Sequence, residues 1–143
     1  MIFVHGDNNN QMGRLLADEY KNLSGFEVDG NFSILGWAIE NDIKAMVVFN
    51  DFNGSNIEGH IYAPGYFNRQ VIKGMMNYVF VHLKCNRFTA KPYRKNKKIL
   101  HLLPRIGFVY EYTMKKYYGA DRQEDAIVFA MYREQADRWI DAI

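Results

Sequence analysis

The dipeptide Asn53-Gly54 places the tightest limit on what this chain can fold into. Asn and Gly both tolerate the left-handed backbone that a short hairpin turn demands. The flanking runs, Lys44–Phe52 and Ser55–Ala63, are rich in β-formers. They are expected to pair as antiparallel strands. A further β-rich run, Phe32–Glu40, precedes them across an Asn41-Asp42 turn, and Pro64-Gly65 ends the last strand. Three successive strands make a small meander. Such a sheet is stable only if something apolar covers one face.

The cover follows directly. Val71, Ile72, Met75, Met76, Val79, Phe80 and Leu83 share one face of a helix predicted over about 68–84. A stripe of this kind is ordinarily core. A second helix is predicted over roughly 10–23 from Met12, Leu15, Leu16 and Leu23. The Asn-rich run before it reads as its start, with Asn8 and Gln11 as a capping box. Ile99, Leu100, Leu102, Leu103 and Ile106 mark a third helix, with a bend or end expected at Pro104 and a stop at Gly107. Strands are expected at the N-terminus, at Arg87–Tyr93, at Val109–Tyr117 and at Ala126–Tyr132, with a helical tail over Glu134–Ile143. The order β-α-β-β-β-α-β-α-β-β predicts one α+β domain over 1–143, built on a single mixed sheet of six to seven strands flanked by three to four helices.

Composition narrows the function classes. At 48% hydrophobic and 24% charged, the chain is no disordered segment. With 143 residues it can bury about two-thirds of its unfolded surface, so a disulfide or metal staple is unnecessary. Cys85 is the lone cysteine and the four histidines are scattered, so no zinc site is expected. No apolar run approaches the ~20 residues of a membrane span. The start lacks a secretory pattern, and a cytoplasmic location is expected.

Charge is segregated along the chain. Residues 1–68 hold 3 Lys/Arg and 9 Asp/Glu, whereas residues 69–116 hold 12 Lys/Arg and only Glu111 as an acid. A central block this basic suits an anionic ligand, either nucleic acid or a phosphorylated cofactor. It equally suits a solvated face paired in space with the acidic flanks.

Several segments resemble the GNAT family of N-acetyltransferases, most closely its small bacteriophage and prophage-encoded members. Asn96 opens a helix, and Gly107-Phe108 follow eleven and twelve residues later. Asn86-Arg87-Phe88-Thr89-Ala90 resembles the family's fifth strand. Asp125–Met131 with Trp139 resembles its last strand and tail, and the helix at 69–84 sits where the cofactor helix sits. The resemblance spans about residues 26–139. Two departures stand out. Phe67–Ile72 lacks both glycines of the cofactor loop, and Leu103 stands where the family often has a tyrosine that protonates the leaving thiolate.

The resemblance implies a GNAT-like fold, acetyl-CoA as cofactor and a primary amine as acceptor. It implies that the backbone of Ile61, Tyr62 and Ala63 pairs with the pantetheine arm, with an N–H near Tyr62 facing the developing oxyanion. The N–H groups of Asn68, Arg69, Gln70, Val71 and Ile72, with the Arg69 and Lys73 side chains, would hold pyrophosphate. Asn96 would be a cap, a cofactor contact, or both. Glu58, His60 and Tyr62 share a strand face, and Glu58 or His60 would be the base. Glu111 is a weaker candidate base. Tyr110, Tyr112, Tyr117 and Tyr118 are candidates to line the acceptor groove. The implied function is acetyl transfer from acetyl-CoA to an amine on a small molecule, a protein or a modified nucleobase, by a protein that can form a homodimer. Two other readings stand beside it. One is a non-catalytic GNAT-fold protein, such as a virion component or an inhibitor of a host protein. The other is a nucleic-acid-binding module using Arg87, Lys91, Arg94, Lys95, Lys97 and Lys98 with Phe88 and Tyr93 interleaved.

Overall fold

The computed structural model describes residues 1–140. Strand β1 (Ile2–Asp7) leads into helix α1 (Gln11–Ser24). Strands β2 (Ser33–Ile39), β3 (Asp42–Asn50) and β4 (Asn56–Tyr62) follow, then helix α2 (Arg69–Met76). Strand β5 (Arg87–Ala90), helix α3 (Lys97–Ile106), strand β6 (Val109–Met114) and strand β7 (Ala126–Tyr132) complete the order. The strands form one seven-stranded sheet ordered β1-β2-β3-β4-β5-β7-β6. Neighbours are antiparallel except β4 and β5, which run parallel. The α+β mixed sheet expected from the sequence is therefore present.

Both sheet faces are covered by apolar stripes. On one face Leu16 and Tyr20 of α1 pack on Ile34, Met46 and Val48. On the other, Val71, Ile72, Met75 and Met76 of α2, with Leu103 and Ile106 of α3, pack on Trp37, Val47, Phe49, Phe88 and Met131. Residues of β4 alternate between the two: Ile57 and Ile61 face α2, while Tyr62 faces α1.

Several local expectations need correction. Asn53-Gly54 does turn the chain, but not as a two-residue hairpin. The link spans 51–55, and the Asn53 side chain accepts from the N–H groups of Ser55 and Asn56 at 3.0 and 2.7 Å. An Asx turn has displaced the tighter hairpin. Helix α1 is capped by Asn10, whose Oδ1 accepts from Gly13 N–H at 2.8 Å. Asn8 instead accepts from Phe32 N–H at 2.9 Å, tying the loop to β2. The long apolar helix is continuous only in register. After Met76 it widens into a π-helical turn, Asn77–His82, where the Asn77 amide donates to the Lys73 carbonyl at 2.9 Å and loosens the α ladder.

Helix α3 runs through Pro104 to Ile106 before Gly107 ends it at φ +119°. Leu103 and Ile106, buried on either side, hold the last turn down, and Trp139 Nε1 donates to the Ile106 carbonyl at 2.7 Å. Strand β5 stops at Ala90 because Pro92 offers no N–H, leaving Tyr93 a single bridge to Ala126. Strand β6 ends at Met114, before Lys116 turns to positive φ. The tail makes a 3-10 turn at Arg133–Gln135 rather than a helix from Glu134, and residues 141–143 lie outside those described.

Candidate functional site

The parallel pair is where the sheet opens. Strands β4 and β5 pair from Asn56↔Arg87 to Gly59↔Ala90 and then part. Strand β4 continues to Tyr62 against β3, so His60, Ile61 and Tyr62 keep a partner on one edge only. A cavity of about 230 Å³ lies at the parting. Gly59, His60 and Ile61 form one wall, and Ala90 through Tyr93 with Asn96 and Ile99 form the other. Tyr20, Tyr118 and the α1–β2 link, which carries Phe26, Glu27 and Asp29, close the remaining sides. Phe26 and Tyr93 meet with ring centroids 5.4 Å apart.

His60 presents its ring to this space, and Nε2 lies 3.2 Å from Asn50 Oδ1. Burial, reinforced by the Lys91 ammonium, holds the imidazole below its ordinary value. The ring is therefore neutral at pH 7, as a base must be. Glu58, on the same strand face, is engaged differently. Its carboxylate pairs with Lys91 Nζ at 3.0 Å, both side chains largely buried, and it does not line the cavity. Lys91 also donates to the Tyr117 hydroxyl at 3.1 Å. Of the two candidate bases, only His60 faces the opening.

The tyrosines divide in the same way. Tyr118 reaches the cavity and donates to the Lys91 carbonyl. Burial pushes its hydroxyl up to about 12. Tyr110 and Tyr112 are exposed on β6, away from the cavity. Leu103 is fully buried in the core and offers no proton.

The residues expected at the phosphate grip sit at the exposed start of α2. Asn68 caps it, with Oδ1 accepting from Val71 N–H at 3.1 Å and the Asn68 carbonyl accepting from Ile72 N–H at 3.0 Å. The Val71 and Ile72 side chains are buried in the core. Their β-branched carbons therefore do not obstruct the helix end, although their N–H groups are engaged. The N–H groups of Arg69 and Gln70, next in line, have no intrahelical acceptor. The Arg69 guanidinium lies 5.6 Å over the Trp139 ring, and Gln70 Nε2 donates to the Met1 carbonyl at 3.3 Å. Lys73 lies one turn further along α2. Asn96 caps α3 through Ile99 N–H at 3.5 Å and lines the cavity, while Tyr62 and Ala63 do not line it. A one-sided β edge leading to a helix N-terminus suits an extended amide-bearing arm with an anionic head.

Part of the basic block is tied up in ion pairs. Arg87 grips Glu111 in a bidentate pair, and Arg94 Nη2 reaches Asp125 Oδ2 at 3.2 Å. With Lys91 on Glu58 and Phe88 fully buried, much of the proposed nucleic-acid surface is internal structure. Lys95, Lys97 and Lys98 remain exposed at the start of α3.

Glu111 is likewise a structural group. Arg87, and then the Tyr132 hydroxyl at 2.5 Å, pull its carboxyl down to about 2 from 4.5. A carboxyl lowered on folding adds stability that is complete above 4.5 and lost as pH falls towards about 2. Glu111→Gln is expected to flatten the fall in urea midpoint across that window.

Sequence reasoning did not single out Asn50, Phe26 or Asp29, because only tertiary pairing brings these loop and strand-end residues to β4. Lys91 was visible only as one charge in a block.

No protein-family model and no curated protein matches this sequence. Solved structures do. A chimera of spermidine N-acetyltransferase SpeG from Vibrio cholerae with hSSAT superposes with a TM-score of 0.73 at 15% identity, covering 94% of this chain and 98% of that one. Mutant forms of the spermidine/spermine N-acetyltransferase SpeG from Vibrio cholerae give 0.68 at 16%, over 96% and 98%. The dodecameric spermidine N-acetyltransferase from the same organism, in an intermediate state, gives 0.68 at 15%, over 93% and 95%. At these identities the likeness establishes architecture, and the architecture of this chain is the GNAT fold of the N-acetyltransferases.

Proposed function

We propose that this protein is an acetyl-CoA-dependent N-acetyltransferase whose acceptor is a primary amine of the polyamine class. The observation that carries the reading is the parting of β4 and β5 after Gly59↔Ala90, with His60 lining the gap and the α2 N-terminus following β4 in the chain. The cofactor supplies an acetyl group activated as a thioester. The unpaired edge of His60–Tyr62 offers backbone groups to its amide-bearing arm. Arg69 and Gln70 N–H groups, aided by the Arg69 and Lys73 side chains and by the helix dipole, meet its phosphates. The missing glycines are tolerated because Val71 and Ile72 turn their side chains into the core. Asn96 borders the same space from the α3 side.

The acceptor half follows from charge. Glu27 and Asp29 line the cavity and favour a cation, and Phe26, Tyr20 and Tyr93 offer ring surface to an alkylammonium. The neighbouring folds are named for spermidine and spermine, which supports the polyamine class. His60 takes a proton from the acceptor ammonium, leaving a neutral amine able to attack. Glu58 serves as the counter-ion of Lys91, not as base. The dodecameric neighbour supports self-association as part of the same proposal.

The test is release of coenzyme A thiol from acetyl-CoA with spermidine, a monoamine and a lysine peptide compared. Fastest release with spermidine is expected. Release that is equal for all three contradicts the acceptor assignment, and no release with any of them contradicts the enzymatic reading.

A further inference from the structure

We infer that Asn50 is a positioning residue that fixes the tautomer of His60, so that Nδ1 is the basic nitrogen presented to the acceptor. This rests on His60 being the base. Asn50 ends β3 opposite Glu58 of β4, and its Oδ1 lies 3.2 Å from His60 Nε2. A carbonyl oxygen only accepts, so the neutral ring carries its hydrogen on Nε2 and its lone pair on Nδ1. Among the described residues the one buried side-chain nitrogen or oxygen lacking a hydrogen-bond partner is Arg94 Nε. Among the described residues His60 Nδ1 makes no hydrogen bond and is not among the fully buried unpartnered atoms, and His60 borders the cavity.

The geometry also explains why a single acceptor suffices. The acceptor ammonium passes one proton to Nδ1 and becomes a neutral amine. The ring becomes an imidazolium whose Nε2–H remains on Asn50 Oδ1, so no hydrogen bond is broken in the transfer. With the opposite tautomer, Nδ1 would carry hydrogen and the lone pair would face Asn50, out of reach of the acceptor. Charged and titratable groups approach the ring from several sides: Lys91 with Glu58, Asp51 after β3, Glu27 and Asp29 from the α1–β2 link, and Tyr20 and Tyr118 across the cavity. Lys91 lowers and Asp51 raises the imidazole's proton affinity. Asn50 adds no charge, and its contribution is orientation.

The experiment combines two-bond 1H–15N spectra of the histidine rings, recorded on the free protein, with acetyl-transfer kinetics and pH profiles. Wild-type His60 is expected to show the Nε2–H form. Asn50→Ala is expected to mix the tautomers and lower kcat by about 10-fold or more, with KM for the amine little changed. Asn50→Asp keeps an acceptor oxygen. It should retain the Nε2–H form and most of kcat, with the acid limb of the pH profile moved upward by the added carboxylate. An Asn50→Ala protein that keeps the Nε2–H form and full kcat, while His60→Ala is inactive, overturns the role of Asn50 alone. Full activity in His60→Ala overturns the base assignment and this inference together.

Discussion

Replacing His60 with Ala is expected to lower kcat by about 10²- to 10⁴-fold, the usual contribution of a positioned general base. Among the described residues His60 is the one histidine that lines the cavity, and burial and Lys91 favour its unprotonated form there. Binding of the cofactor should be nearly unaffected, because its grip is assigned to the β4 edge and the α2 N-terminus. In the wild type, kcat/KM should fall on acidification through a limb below the ordinary histidine value of 6.5. That follows from the sign of the shift: burial and Lys91 both disfavour the imidazolium, so the active neutral form persists to lower pH. The limb should disappear from the residual activity of His60→Ala. Glu58→Gln gives the contrast. It releases Lys91 but leaves the ring in place, so a smaller loss is expected. Steady-state kinetics across pH checks both variants.

Gly13→Ala is expected to cost about 3 kcal/mol or more of folding stability. Helix α1 crosses β1 with the two backbones in contact. A Cβ on Gly13 would sit 1.8 Å from the Asp7 carbonyl oxygen and 2.3 Å from its nitrogen. Gly6 meets the same crossing from the strand side, where an added Cβ would lie 2.3 Å from Gly13 N. Backbone atoms cannot rotate away as a side chain can, so α1 must lift off the sheet. Leu16 and Tyr20 then lose their seat on Ile34, Met46 and Val48, and the cavity loses the Tyr20 wall. Equilibrium urea unfolding should show a lower midpoint, and a midpoint within experimental error of wild type would contradict the crossing.

Periodicity and caps made most of the architecture legible. The stripe from Val71 to Phe80 lies in the core as its spacing requires, and Asn68 and Asn96 cap the helices they precede. Strand β7 occupies the predicted Ala126–Tyr132. What escaped were competitions between local signals. Asn53 uses its side chain to bind the turn, so Asn-Gly did not close a two-residue hairpin. Pro104 did not end α3, because Leu103, Ile106 and Trp139 hold the last turn from outside the helix. The site was legible in part. Alternation along β4 put Glu58 and His60 on one face, but only the pairing of β5 shows that Lys91 claims Glu58 and leaves His60 to the cavity. Asn50 carries no sequence signal, since its role depends on its register opposite β4.

The most direct test is a crystal structure with coenzyme A bound. The account predicts its extended arm lying in the parting of β4 and β5, paired with the backbone of His60–Tyr62, its phosphates at Arg69 and Gln70 N–H, and its sulfur on the His60 side of the gap. Coenzyme A elsewhere on the molecule, or a gap still closed by side chains at millimolar ligand, would contradict it.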